Sequence, residues 1–389
     1  MSLVRRFLDA MAGTERRGVN QSGFANTPGL SAAGYPVSPY LAENLSAVLA
    51  CISVVSSGLA TLPAYVYRRQ DGGRVEAPSH PVARLIRAPN PHQTWPDFIE
   101  WLLAQVMLRG NALATIEHDG AGRPVALWPI PWQNVQPMML PTGRLAYDVV
   151  AWQAPWGGHA MPRRYLAGEV LHLKDRSDDG LIGRSRISRA PDTIGNALAL
   201  QEWSGAQWAN GITPSGAFKT PHKMTADTMA MLRQQLTEKH SGVQNARKAF
   251  ILENGMEWQS ISVSPEDAEV LDSRKFSIEE LARLFGVPPP LIQDYSRNTF
   301  TNAATAGLWF AQFTLAPWAR KLEAEFARSL FGASSGTYEL VIDLSGLTRG
   351  DFAARWASYA IAVDKGILDP AEIRDAEGYN PRPAAPGVG

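Results

Sequence analysis

The residues that could do chemistry are few and badly spaced for it. Seven histidines, His80, His92, His118, His159, His172, His222 and His240, never pair at i, i+3 or i, i+4, the spacings that set two ring nitrogens on one helix face. The single cysteine, Cys51, sits in an apolar run over residues 45–59 with no histidine near it in sequence, which suits a small buried hydrophobe better than a nucleophile. No nucleophile elbow, Walker loop or Gly-x-Gly-x-x-Gly motif occurs. One stretch imitates a calcium loop. Asp175, Ser177, Asp179 and Gly180 match its first, third, fifth and sixth positions, but the twelfth, where a bidentate Glu belongs, is Arg186. A cation there argues for a polar turn and against calcium. No cofactor or metal is expected, and an enzyme is left only as a hydrolase whose site assembles from distant residues.

The most organised stretch, residues 264–330, is mechanical in character. Ser264 caps a helix, Pro265 fits its first position and Asp267 completes a capping box. Val270, Leu271, Phe276, Ile278, Leu281, Leu284 and Phe285 are its apolar positions, Gly286 stops it, and Pro288-Pro289-Pro290 forbids a restart. A polar loop over 293–301 follows, holding Tyr295, Arg297, Asn298, Thr299 and Phe300. A second helix is expected from Asn302 to about Leu330, kinked at Pro317, with Trp318, Leu322, Phe326 and Leu330 as one apolar stripe.

Before this stretch the pattern is mixed α+β. Residues 1–37 read as a flexible arm. A helix is expected over 38–60, then a strand at 64–67 and a hairpin turn at Asp71-Gly72-Gly73. A short helix follows His80-Pro81, Pro89-Asn90-Pro91 breaks it, and Thr94-Trp95-Pro96-Asp97 opens another helix to about residue 108. Short strands are expected at 112–117, 125–128, 135–138, 145–149 and 170–173, then one helix over 187–210. Residues 212–261 read as a small strand–helix–strand module carrying Lys219, Lys223, Lys239, Arg247 and Lys248. Two helices bracketing it would make a stalk with a tip. After the long helix come a strand at 338–344, a helix over 351–365 and a short capped helix from Asp369.

Composition narrows the function classes. Lys plus Arg and Asp plus Glu are 37 each in 389 residues, so the chain has no general attraction for nucleic acid or anionic lipid. One cysteine gives no disulfide framework and points to a reducing compartment, and no apolar run reaches the ~18 residues of a membrane span. Twelve Trp and 45% hydrophobic residues without such a span suit large apolar interfaces between copies.

The order of these features resembles the portal proteins of tailed bacteriophages, siphovirus-type, whether from a phage, a prophage or a gene transfer agent. The matching pieces are Ala50-Cys51-Ile52, Leu62-Pro63, His80-Pro81, Pro89-Asn90-Pro91, Gly110-Asn111-Ala112, Leu171-His172-Leu173, Gly180 with Gly183-Arg184-Ser185, Asn210-Gly211, Pro214-Ser215-Gly216, and Phe285-Gly286-Val287-Pro288-Pro289 with Asn302. They cover roughly residues 38–331. Gln293 departs from the family, standing where glycine is common, as does Ala303-Ala304. The resemblance implies a portal fold: a wing over 38–186, stem helices at 187–211 and 263–286, and a clip at 212–262. It further implies a tunnel loop at 287–301, a long wing helix and strand over 302–345, and a reduced crown over 346–389. It implies a ring, usually a dodecamer, at one capsid vertex of a virion, assembled in the host cytoplasm. Double-stranded DNA would pass through it without sequence-specific binding. The terminase large subunit, a head–tail adaptor and the major capsid protein would be its partners, with no membrane. Tyr295, Arg297, Asn298, Thr299 and Phe300 would face the channel; Lys219, Lys223, Lys239, Arg247 and Lys248 would form the docking surface of the clip. Another head–tail connector or capsid component is the alternative, and the polar loop read without the resemblance is an ordinary surface loop.

Overall fold

The computed structural model describes residues 29–151, 162–210, 216–219, 230–231, 257–260, 265–295, 300–348, 352–377 and 379–380. Within the stretch expected as an arm, β1 (Gly29–Leu30) pairs with β2 (Pro36–Val37) as a small antiparallel hairpin. Ser38 caps α1 (Pro39–Glu43), its Oγ accepting the Leu41 N–H at 3.2 Å. The helix expected over 38–60 is broken after α1, because Leu45 takes an extended ψ of 117° before α2 (Ser46–Ala60) begins. Along α2, Val48, Cys51, Ile52, Val55 and Leu59 recur at three- and four-residue spacing and are all buried, one amphipathic face turned to the core. Burial pushes the Cys51 thiol up to about 12, so it holds no thiolate at neutral pH.

The hairpin at Asp71-Gly72 joins β3 (Ala64–Gln70) to β4 (Gly73–Glu76) as expected. α3 (Pro81–Arg87) is capped by His80 Nδ1, which accepts the Val82 N–H at 3.2 Å. α4 (Trp95–Arg109) packs on α2. It opens with the expected capping box, Thr94 N–H to Asp97 Oδ2 at 3.0 Å and Asp97 N–H to Thr94 Oγ1 at 3.4 Å, worth ~1 kcal/mol. Gly110 closes it at φ +81°, a left-handed turn that a side chain would strain.

A three-stranded antiparallel sheet follows from β5 (Asn111–His118), β6 (Pro124–Ile130) and β10 (Val170–Lys174), with β5 in the middle. β7 (Val135–Met139), β8 (Leu145–Val149) and β9 (Arg163–Leu166) form a second. β5 is buried on both faces. Ala112, Ala114 and Ile116 join the main core, and Leu113 joins a smaller cluster with Trp132, Tyr147 and Tyr165, as the two-residue period of a strand requires.

The helix expected over 187–210 is two: α5 (Arg186–Arg189), a break at Ala190, then α6 (Pro191–Asn210). α6 packs against α7 (Pro265–Phe285). Between them in sequence, β11 (Gly216–Lys219) pairs antiparallel with β12 (Glu257–Ser260). The N-terminal hairpin lies across α6: Ala32 N–H donates to Asp192 Oδ1 at 2.6 Å, and a Cβ on Gly195 would strike Ser31.

The irregularity expected at Pro317 is spread along the long helix. α8 (Phe300–Trp309) widens into a π-helical stretch, Phe310–Leu315, continues as α9 (Ala316–Phe326), and widens again over Ala327–Phe331. The Ala316 N–H reaches back five residues to the Ala311 carbonyl, so the wide turn falls just before the proline, which has no N–H to donate. β13 (Tyr338–Ile342) then pairs with β3, Leu340 opposite Val66. α10 (Ser345–Thr348), α11 (Phe352–Asp364) and α12 (Pro370–Ala376) end the described chain.

Candidate functional site

Four of the sequence pieces singled out above, far apart along the chain, meet at one buried junction. Its first part is the loop with calcium-like spacing. The guanidinium of Arg186 occupies the Asp175 carboxylate, Nε to Oδ2 at 3.1 Å. The residue that argued against calcium is therefore the partner of the loop's first acidic residue. Asp179 Oδ1 accepts the Leu181 and Ile182 N–H groups at 2.7 and 2.9 Å and closes the polar turn. Among the described residues no cluster of three or more His, Cys, Asp or Glu is placed to hold a metal ion.

Arg186 also reaches the end of α7. Its Nη1 donates to the Phe285 carbonyl at 2.6 Å and lies 3.4 Å from that of Leu284. A helix C-terminus presents unpaired carbonyls and partial negative charge, and a guanidinium answers both. The same guanidinium lies over Trp318 of α9, 5.6 Å from the ring centroid, and Lys321 lies 5.0 Å from that ring. Lys321 donates to the Lys174 carbonyl at 3.0 Å. Thr314, in the π-helical stretch, donates its hydroxyl to the Gly286 carbonyl. The end of α7 is thus tied to the 175–186 loop and to the long helix by side chains from both.

The second part is a buried polar knot. Asn111 clamps the backbone of Gly183, Oδ1 accepting its N–H at 2.8 Å and Nδ2 donating to its carbonyl at 2.7 Å. The chains pass so closely that a Cβ on Gly183 would strike the Gly110 carbonyl. His172 Nε2 lies 3.0 Å from Asn111 Oδ1, and its Nδ1 lies 2.8 Å from the Tyr147 hydroxyl. Since Oδ1 only accepts, Nε2 carries the proton and Tyr147 donates to Nδ1. Trp132 stacks on the imidazole at 5.3 Å and 18°. Burial, with Lys174 and Arg328 adding to it, lowers the His172 value to about 3, so the ring is neutral. Burial likewise raises the Tyr147 hydroxyl.

Two carboxylates of the long helix finish the strands. Glu325 Oε1 accepts the His172 N–H of β10 at 2.7 Å, and Glu323 Oε1 accepts the Ile342 N–H of β13 at 2.9 Å. Arg328 holds Glu325 in a fork, 2.5 and 2.9 Å, and donates to the carbonyls of Ala167 and Val170 at 3.0 and 3.1 Å. The side-chain bond to Glu325 raises Arg328 above its ordinary value. Sheet edges, α7 and the long helix are thus held by charge-assisted bonds, which fix geometry more tightly than neutral ones.

The contacts described at this junction involve none of the residues expected at a channel or docking surface. Tyr295 is 63% exposed at the end of the segment that follows α7, and Phe300 opens α8. Arg297, Asn298 and Thr299 lie outside the described residues, as do Lys223, Lys239, Arg247 and Lys248; Lys219 is the last residue of β11. The cap expected at Ser264 also lies outside them. Gln293 has φ +64°, the one described non-glycine residue in the left-handed region. Glu325, Arg328 and Thr314 drew no notice in the sequence, although an acid and a base three apart beside Phe326 on an apolar stripe were a signal of a buried pair.

The family model described as phage portal protein matches residues 46–378, and the chain belongs to that family. Its fold is the α+β portal fold and the protein is a portal subunit, a structural component of the ring for DNA packaging. It is 29% identical to the probable portal protein of Streptomyces phage phiC31 over 92% of this chain and 79% of that one. To the portal protein of Enterobacteria phage HK97 it is 30% identical over 87% and 80%. Among solved structures it resembles a chain in the neck of a native gene transfer agent particle computed with C12 symmetry, TM-score 0.58, 22% identity, covering 86% of this chain and 90% of that one.

Proposed function

We propose that the chain assembles, as twelve copies, into a ring at one vertex of a virion or gene transfer agent capsid and works there as a mechanical conduit without catalytic activity. Residues 38–186 and 302–345 form the wing, 187–211 and 263–286 the stem, 212–262 the clip and 346–389 a short crown. Residues 287–301 face the channel. The observation that carries this division is the junction, because Arg186, Thr314, Asn111 and Glu325 fasten the end of α7 to the sheet and the long helix. Load on the loop after α7 passes directly into the body.

Exposed apolar side chains on the long helix support contact between neighbouring copies: Trp309 is 60% and Phe313 69% exposed, more than a monomer gains by displaying. Duplex DNA crosses the ring without sequence preference, consistent with a chain of zero formal charge. The clip receives the terminase large subunit during packaging and a head–tail adaptor afterwards, the major capsid protein surrounds the wing, and assembly takes place in the host cytoplasm. No described helix is long and apolar enough to cross a membrane. Light scattering on the purified protein at several salt concentrations tests the reading. A ring-sized particle is expected, and monomer alone at high concentration would contradict it.

A further inference from the structure

The C-terminal helices carry an open apolar cleft of about 1070 Å³, lined by Trp356, Tyr359, Val363, Ile373 and Tyr379 with Asp364 on its wall. Its size is at the upper end for a ligand site. The cleft is built rather than incidental. Glu377 locks α11 to the turn after α12, accepting from Arg355 at 2.9 Å and from the Tyr359 hydroxyl at 2.8 Å. Asp364 is exposed and has no hydrogen-bond or ion-pair partner among the described residues.

The chain leaves from the rim of this cleft. Arg374, which also lines it, donates to the Asn380 carbonyl from Nε at 3.1 Å and from Nη2 at 2.6 Å. The sequence that follows is Pro381-Arg382-Pro383-Ala384-Ala385-Pro386-Gly387-Val388-Gly389. In a polyproline II conformation, which repeats every three residues, Pro383 and Pro386 would fall on one edge, and at about 3.1 Å per residue nine residues would span roughly 28 Å. Aromatic-lined grooves recognise such segments because their backbone is already extended and loses little entropy. Arg382 gives the segment a cation and Asp364 gives the cleft an anion.

We propose that residues 381–389 of the same chain occupy this cleft as a polyproline II segment, Pro383 and Pro386 against Trp356 and Tyr359, with Arg382 paired to Asp364. Tethering at Asn380 supplies a high local concentration, so modest intrinsic affinity fills the site. The proposal does not depend on ring formation.

The test uses the protein ended at Asn380, the full chain, and a fluorescein-labelled synthetic peptide of residues 380–389 followed by fluorescence polarisation. The shortened protein is expected to bind the peptide saturably, and the full chain at least tenfold more weakly because its own segment competes. A peptide carrying Pro383→Ala and Pro386→Ala should lose tenfold or more, and Trp356→Ala in the shortened protein should do the same. The peptide variants keep the test independent of whether the protein variant folds. No saturable binding to the shortened protein, as when a second copy covers the cleft, would overturn the proposal. So would equal binding to both proteins.

Discussion

Replacing Asn111 by alanine removes the clamp on Gly183 and, with it, the bond to His172 Nε2 and a long one to the Arg109 carbonyl. Three polar groups lose a partner in a buried place: the Gly183 N–H, the Gly183 carbonyl and the His172 Nε2–H, bonded now at 2.8, 2.7 and 3.0 Å. Asn111 is 1% and His172 3% exposed, so bulk water does not take the asparagine's place. A buried unsatisfied group costs roughly 1–3 kcal/mol, and taking the low end for all three gives a loss of ~3 kcal/mol. That is a large part of a domain's net stability, typically about 5–15 kcal/mol. Urea unfolding followed by circular dichroism at one protein concentration measures it. Arg123→Ala, which removes an exposed ion pair with Asp119, is the control and should change stability by less than ~0.5 kcal/mol. A loss below ~1 kcal/mol for Asn111→Ala would refute the claim that this clamp holds the junction.

Further outcomes are expected from this geometry and from the proposed function. His172 is held neutral at about 3 against an ordinary value of 6.5, so below 6.5 the unfolded chain binds a proton that the fold refuses. Stability is full above pH 6.5 and falls toward pH 3 by up to ~1.4 kcal/mol per pH unit; urea midpoints at pH 7, 5.5 and 4 should show this, with a shallower slope in His172→Gln. Gln293→Gly should raise stability by roughly 0.5–1 kcal/mol, since φ +64° strains a side chain and suits glycine; an unchanged or lower urea midpoint would count against that. Arg297→Ala and Tyr295→Ala should assemble and melt near wild type yet package less DNA, and full packaging with residues 295–300 replaced by Gly and Ser would reduce the loop to a connector. Lys223→Glu and Lys239→Glu should leave the ring intact and impair packaging or tail joining; loss of the ring instead would put that segment in the body.

Where local chemistry decides the outcome, the sequence is a good guide. Thr94 and Asp97 announce a helix start that needs only neighbours three residues apart, and Asp71-Gly72 announces its hairpin in the same way. β9 gives no strand signal in the sequence because Arg163 and Arg164 lack the apolar alternation of a half-buried strand; Arg164 instead pairs with Asp148 across the sheet at 2.6 Å. The break at Leu45 rests on one backbone torsion, ψ 117°, within an otherwise helical pattern, whereas the break at Ala190 falls directly before Pro191, which disfavours helix for the residue preceding it. The π-helical stretches have no residue signature beyond Pro317. The junction was visible only as separate pieces: Asn111 and Gly183 are 72 positions apart, Arg186 and Phe285 99, and His172 and Glu325 153. Nothing along the chain says that they touch, though the ordered pattern carried the family.

Single-particle electron cryomicroscopy of the purified protein tests the central claim most directly. The account predicts a ring of twelve copies with a central channel, α6 and α7 side by side along it, Arg186 seated on the Phe285 carbonyl, and the segment from Tyr295 to Phe300 turned toward the lumen. A compact particle without a channel, or a ring whose 295–300 segment lies on the outer surface, would contradict it.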